Sequence, residues 1–196
     1  MFYICPGTIE KKEMFWVDKI EAAICFTKKK NVRLNLKKNI QFDLSTDKKK
    51  IRVIEKIKQY CKSVSDKKKD IVIKNLIEIT GVIPSNKMNK NYKVASWDQI
   101  KKTLKNKLFS LGGHSFEHSI LTKLTNKQVD KDIKKTISLI LKRTGVLIRH
   151  FSYPEGKKNK KVINIMKKNK ILSCPLAFGT KNTHNVNPFL LERIMV

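Results

Sequence analysis

The feature that most limits the fold of this chain is an alternation of short apolar runs with helical patterns from residue 96 onward. Residues 108–112, 146–151 and 171–176 form apolar runs short enough for buried strands. Amphipathic segments of helical period separate these runs, and each segment starts or stops at a polar or Gly residue. Such alternation is typical of parallel strands joined by crossover helices. The sequence therefore predicts an α/β fold.

The first half of the chain shows a different pattern. A short apolar run at 2–5 ends at Pro6 and Gly7, which predicts a strand followed by a turn. Further along, the sequence predicts a helix over 18–26, a hairpin of strands 32–36 and 40–44, and amphipathic helices over 51–64 and 70–80. The capping pair Ser96 and Gln99 and the stop at Gly145 mark helix ends in the second half.

Two histidines four residues apart, His114 and His118, follow the apolar run 108–112 directly. If His114 opens a helical turn, both imidazoles lie on one face, with Cβ atoms about 5–6 Å apart. Two imidazoles so placed can share a divalent metal, although unrelated surface or core histidines are commoner at this spacing. In (β/α) barrels the chemistry lies at the C-terminal ends of strands, and this pair and the turn 153–156 both follow predicted strands. That placement favours a metal site.

Five short segments also resemble, in the same order, the motifs of one known family. The segments are Phe2–Gly7 with Phe15–Asp18, Ser96–Ile100, His114–His118, Phe151–Gly156 and Asn182–Val196. They are similar to segments of the NodB-like polysaccharide deacetylases, carbohydrate esterase family 4. The resemblance covers nearly the whole chain. It implies an incomplete, distorted (β/α)7-type barrel of the glycoside hydrolase/deacetylase kind over residues 1–196, with the hairpin and helices of 27–95 inserted in it.

One motif of the family is missing from the sequence. Its Thr-Phe-Asp-Asp-Gly segment would precede the Phe2 segment, and the chain contains no Asp-Asp pair. In the family these aspartates supply the catalytic base and complete the metal site. We therefore expect a truncated or impaired family domain, whose strand 2–5 lacks a partner on one side. Such an edge invites pairing with another chain, so self-association is expected.

The resemblance assigns roles to particular residues. His114 and His118 would bind a divalent metal, with zinc weakly favoured by two imidazoles. The backbone N–H of Glu155 would stabilise the oxyanion, and Tyr153 would line the acetyl pocket, although a core aromatic is an equally good interpretation of Tyr153. Ser152 stands where some members carry Arg. The implied function is a metal-dependent hydrolase that removes N- or O-acetyl groups from a carbohydrate or a cell-surface polysaccharide precursor.

Three other polar residues are given smaller roles. Ser115 is expected to bond to nearby backbone rather than to act as a nucleophile, because spacing places no base beside it. His150 is interpreted as structural or surface-exposed, since strand alternation points it away from Phe151. His184 could approach the site as a general acid, and this is the less favoured of its interpretations.

The net charge of +28 raises the alternative of a nucleic-acid or anionic-membrane binder. Only five of the 44 basic residues are Arg, whereas specific nucleic-acid readers favour Arg for bidentate contacts, so a solvated Lys surface is the preferred interpretation. A catalytically silent carbohydrate-binding remnant is the other alternative. No signal-peptide pattern or membrane-span pattern is visible, and Cys5, Cys25 and Cys174 are interpreted as buried free thiols. These features favour the cytoplasm, unless the N-terminus is incomplete.

Overall fold

The computed structural model describes residues 1–177, 179, 182 and 186–193. The chain divides into two units, one of residues 1–12 with 95–196 and the other of residues 13–94. The strands are β1 (Phe2–Ile4), β2 (Asn31–Asn35), β3 (Asn39–Asp43) and β4 (Leu111–Gly113). The helices are α1 (Pro6–Lys11), α2 (Trp16–Phe26), α3 (Asp47–Ser63), α4 (Asp66–Thr80), α5 (Trp97–Leu104), α6 (Asn126–Thr144) and α7 (Lys160–Lys168).

The unit of residues 13–94 is a hairpin packed with three helices. β2 and β3 pair in antiparallel register from Asn31 opposite Asp43 to Asn35 opposite Asn39. Because side chains alternate along a strand, Val32 and Leu34 of β2 point into the core. They join apolar residues of α2, α3 and α4 in one buried cluster. Local capping fixes the two longer helices, since the side chains of Thr46 and Ser65 accept hydrogen bonds from the first turns of α3 and α4.

The boundaries of this unit differ from those of the insertion expected at residues 27–95. It begins at Glu13, so α2 belongs to it together with the predicted hairpin and helices. The insertion itself stays a prediction. Cys25, expected to be buried, is exposed because it lies on the outer side of α2, whose buried residues are Ile20, Ala22, Ala23 and Ile24. The thiols of Cys5, Cys61 and Cys174 are buried, and all four cysteines are free.

The unit of residues 1–12 and 95–196 contains a parallel array of backbone segments. β1 pairs with β4, from Phe2 opposite Leu111 to Ile4 opposite Gly113. Beyond β4 the array continues through single parallel bridges, Gly113 with Phe151 and His150 with Ser173. A further bridge joins Pro175 to Leu191. The predicted parallel α/β arrangement is therefore present, whereas closure into a barrel stays a prediction.

Two of the predicted strands are not continuous strands in the structure. Residues 146–151 and 171–176 form no continuous strand, and each contributes only isolated bridges. Each segment meets its neighbours over one or two residues only, as in the hydrogen bonds from Phe151 N to Ser173 O and from Leu172 N to Arg149 O. Pro175 has no N–H to donate, so the second segment cannot continue a regular ladder.

The helices of this unit begin and end close to the predicted positions, with one exception. Capping boxes at Ser96 and Thr125 start α5 and α6, and a left-handed Gly145 ends α6. The exception is α1, where a turn was predicted at Pro6 and Gly7. Pro6 occupies the first helical position, where its missing N–H costs nothing, so the segment continues as a helix to Lys11. Within the described residues, no helix is both long and apolar enough to span a membrane.

Candidate metal centre

The end of β4 carries the candidate site, and a glycine pair allows that strand to lie close to its neighbours. A Cβ atom on Gly112 would lie 2.5 Å from the Tyr3 ring, and one on Gly113 would lie 2.6 Å from the Phe151 ring. Both distances are too short for any side chain. The glycines therefore let β4 fit between β1 and the segment around Phe151, which brings the next residue, His114, into the middle of the parallel array.

His114 is held by backbone groups on both sides of β4. Its N–H donates to Ile4 O of β1 at 3.0 Å, and its ring Nδ1 lies 2.9 Å from Ser152 O. A carbonyl oxygen only accepts hydrogen bonds, so Nδ1 must carry the proton and the lone pair of the neutral ring is on Nε2. A metal-binding histidine typically has its second ring nitrogen bonded in this way.

The environment of His114 also favours the neutral imidazole. Burial, together with the charge of His118, lowers its pKa to about 4, against smaller opposing effects of the Ser152 hydrogen bond and the Glu155 charge. A positive ring is disfavoured because it would lose hydration without gaining a carboxylate partner strong enough to compensate. At neutral pH the ring is therefore uncharged, as a metal ligand must be.

The two imidazoles of the motif face one another, but not on a helix. Their ring centroids are 4.8 Å apart with an interplanar angle of 74°. The helical turn expected at His114 is wrong: residues 114–118 form an irregular loop in which Ser115 has φ 60° and His118 has φ 63°. Two left-handed residues without glycine cost roughly 1–2 kcal/mol each, so other contacts must fix this loop.

Ser115 forms one of those contacts. Its side chain is fully buried, and its Oγ accepts a hydrogen bond from Ser119 N at 2.8 Å. This backbone bond is the kind of role the sequence suggested for Ser115. Bonding across four residues replaces the helical hydrogen bond that the left-handed conformation prevents.

The segment after Phe151 brings Ser152, Tyr153 and Glu155 near the histidines in different ways. Ser152 provides the carbonyl that accepts from His114, while its buried Oγ has no hydrogen-bond partner among the described residues. Tyr153 is fully buried in the hydrophobic core, and its hydroxyl donates to Phe189 O at 3.2 Å. Burial raises the Tyr153 pKa far above its ordinary value. The structure thus places Tyr153 as a core aromatic, the second of its two interpretations.

Glu155 lies in the short turn Pro154–Gly156 with φ 57° and ψ 16°. The turn follows Ser152, whose carbonyl oxygen lies 2.9 Å from the His114 ring, and the oxyanion role of the Glu155 N–H stays a prediction. The His150 ring Nδ1 is 2.7 Å from the Ser173 hydroxyl, and the backbone of His150 forms a parallel bridge with Ser173. His150 is therefore a structural part of the parallel array. His184 lies outside the described residues, as does part of the motif at 182–196.

Two residues at the site were missed by sequence reasoning, Cys5 and Asp132. The Cys5 thiol donates to His114 O at 3.0 Å, and the Asp132 carboxylate accepts from Phe116 N at 3.1 and 3.2 Å. The position of Asp132 could have been noticed in the sequence, because helical spacing puts this charged residue on the same face as Val129, Ile133 and Thr136. That face is buried. Cys5 had no such signal, since its partner lies 109 residues away.

The histidine pair fits a metal as part of a ligand set. The His114 tautomer and its neutral ring suit Zn²⁺, which binds imidazole nitrogen readily. A catalytic zinc site usually has three protein ligands and one open position. In the part of the chain that the structure describes, no group of three or more His, Cys, Asp or Glu side chains could hold a metal together. The pair would therefore supply two of the ligands of such a site.

Comparison with known proteins gives the family of the chain. A family model described as polysaccharide deacetylase matches residues 55–172, more than half of the 196 residues. Among solved structures, a Streptococcus pyogenes deacetylase, PplD, in complex with acetate is similar at 15% identity and a TM-score of 0.50, covering 57% of this chain and 48% of that chain. IcaB from Ammonifex degensii is similar at 18% identity and a TM-score of 0.49, covering 55% and 51%.

The present chain spans about half the length of the solved structures that it matches. The PplD structure supports a shared mixed α/β fold. No curated protein sequence matches the chain.

Proposed function

Because the chain belongs to the polysaccharide deacetylase family, we propose that it is a metal-dependent hydrolase that removes acetyl groups from a carbohydrate. The substrate would be an N- or O-acetylated polysaccharide or its precursor. His114 and His118 would hold the metal, and zinc is the ion that two imidazoles weakly favour.

The observation that carries this proposal is the geometry of the histidine pair. Two rings with centroids 4.8 Å apart follow a parallel strand, and His114 has Nδ1 bonded to Ser152 O so that Nε2 is available. A lone structural histidine pair has no need of this arrangement. Two neutral imidazoles in contact gain little from each other, and burying them lowers the pKa of His114.

Each residue of the site would have a separate role in hydrolysis. A divalent ion held by the pair would supply Lewis acidity toward the acetyl carbonyl. Ser152 O keeps the His114 ring in the tautomer that can bind the ion. The N–H of Glu155, in the turn beside the pair, would donate to the oxygen on which negative charge develops. Tyr153 would support this turn from the core rather than contact the acetyl group.

The activity of the chain is expected to be low. No described carboxylate joins the two histidines as a third ligand. A catalytic zinc site usually has three protein ligands, so a site with two described ligands should hold the ion weakly and hydrolyse its substrate slowly. The expected behaviour is therefore metal binding together with slow hydrolysis.

The test is acetate release from acetylated chitooligosaccharides and from an O-acetylated xylan, with and without Zn²⁺. We expect slow, zinc-dependent release that His114→Ala abolishes. His150→Ala is the matched control, because that ring bonds to Ser173 rather than facing His118, and it should keep the wild-type rate. Release that is unaffected by His114→Ala, or no zinc-dependent release at all, would overturn the proposal.

A further inference from the structure

The loop that carries the two histidines has few bonds of its own. Residues 114–118 adopt no regular structure, and Ser115 and His118 both have positive φ. The hydrogen bond from Ser119 N to Ser115 Oγ bridges the end of the loop. A non-glycine residue in the left-handed region persists only when its surroundings hold it there. The facing arrangement of the imidazoles must therefore depend on groups outside the loop.

The middle of the loop is held at Phe116, the residue between the two histidines. Its N–H donates to both oxygens of the Asp132 carboxylate on α6, at 3.1 and 3.2 Å. Its carbonyl accepts from Gly7 N of α1 at 2.8 Å. A Cβ on Gly7 would lie 2.5 Å from the Phe116 ring, so α1 also packs closely on the loop. The N–H and the carbonyl of Phe116 are thus bonded by two different helices, α6 and α1.

The ends of the loop are held by the buried thiol of Cys5. Its Sγ donates to His114 O at 3.0 Å, and the backbone of His118 hydrogen-bonds to the same thiol. One side chain therefore bonds to the backbone of both histidines.

We propose that Asp132 and Cys5 are positioning residues that hold the loop 114–118 in the conformation in which the two imidazoles face each other. Neither side chain needs to contact the metal or the substrate. The consequence for metal affinity rests on the proposed function, whereas the consequence for the loop does not. Outer partners of metal ligands typically change metal affinity by 10–100-fold when they are removed.

The experiment compares five variants with the wild type in the full chain. Asp132→Ala removes both acceptors of Phe116 N, whereas Asp132→Asn keeps one oxygen and should rescue the loop. Cys5→Ala removes the donor to His114 O, whereas Cys5→Ser keeps a hydroxyl donor. Asp130→Ala is a control on the same helix, because the Asp130 carboxylate bonds to Lys134 and Asn169 on the described surface rather than to Phe116 N.

Two readouts are measured without metal and one with metal. Without metal, NMR detects the nuclear Overhauser effect between the two imidazole rings, and hydrogen exchange reports on the Phe116 amide. With metal, a chromophoric competitor gives the Zn²⁺ affinity. We expect Asp132→Ala and Cys5→Ala to lose the ring contact and to bind Zn²⁺ about 10–100-fold more weakly. Asp132→Asn, Cys5→Ser and Asp130→Ala should remain within about threefold of the wild-type affinity, since each keeps the bonds to the loop.

The outcomes separate this proposal from the proposed function. If the ring contact and the Phe116 protection persist in both alanine variants, the positioning role is refuted, whatever the metal affinity. If the wild type binds no Zn²⁺ but the alanine variants still lose the ring contact, the positioning role stands and the proposed function fails. Far-UV circular dichroism checks folding, and if Asp132→Ala does not fold, the comparison of Cys5→Ala with Cys5→Ser decides.

Discussion

Two buried serines at the candidate site should respond in opposite directions to the same substitution. Ser115 and Ser152 are both fully buried. The Ser115 Oγ accepts from Ser119 N at 2.8 Å, whereas the Ser152 Oγ has no hydrogen-bond partner in the part of the chain that the structure describes. Replacing each with Ala removes one hydroxyl, so only the bonding of that hydroxyl differs. The pair therefore tests the hydrogen-bond pattern of the site directly.

The magnitudes follow from these bonds. A buried hydroxyl without a partner costs about 1–3 kcal/mol in protein mutational data, so Ser152→Ala should raise the free energy of unfolding. The small void left behind offsets part of this, and a net gain of about 1 kcal/mol is expected. Ser115→Ala leaves the Ser119 N–H without its acceptor and should lower the free energy of unfolding by about 1–3 kcal/mol.

The assay is thermal unfolding followed by circular dichroism, checked by urea denaturation. For a chain of this size, 1 kcal/mol corresponds to roughly 2–4 °C in Tm, so the two variants should shift in opposite directions by measurable amounts. Ser152→Ala should also leave the His114 ring signals unchanged, because the carbonyl that accepts from Nδ1 remains. A loss of stability in Ser152→Ala comparable to that in Ser115→Ala would refute the reasoning.

Two further predictions concern pH and association. The pKa of His114 is about 4 in the folded chain and about 6.5 when unfolded, so the unfolded state binds more protons between these values. The free energy of unfolding should fall as the pH drops from 6.5 to 4, and urea curves of His114→Gln should lack this part of the slope. For association, β1 pairs on one side only among the described residues, and Phe2 is 48% exposed. We expect self-association by light scattering, reduced by Phe2→Lys, and a monodisperse wild-type monomer would contradict this.

Much of the helical structure could be predicted from the sequence because the signals are local. Ser96 and Thr125 with their capping partners, and Gly145 at a helix end, each act within one turn. The strands were less predictable. Whether residues 146–151 form a strand or a single bridge depends on how neighbouring segments align, and no local pattern records that alignment. Pro6 shows the same limit, since Pro-Gly is compatible with a turn and with a helix start.

The candidate site was likewise only partly predictable from the sequence. The spacing of His114 and His118 identified the two side chains, but the loop that presents them is not helical, because Cys5 and Asp132 hold it from distant parts of the chain. Hydrogen bonds of this kind depend on packing that is set only after the chain folds. The family motifs pointed to the candidate site, whereas the conformation of its loop depends on long-range contacts.

The most direct test of the metal-site proposal is anomalous diffraction at the zinc edge from crystals soaked in Zn²⁺. The proposal predicts one strong peak within about 2.0–2.1 Å of a ring nitrogen of both His114 and His118, the usual zinc–imidazole distance. His114→Ala crystals treated identically should show no peak there. A wild-type crystal with no peak between these rings, or with zinc bound only elsewhere, would contradict the proposal that this pair is a metal centre.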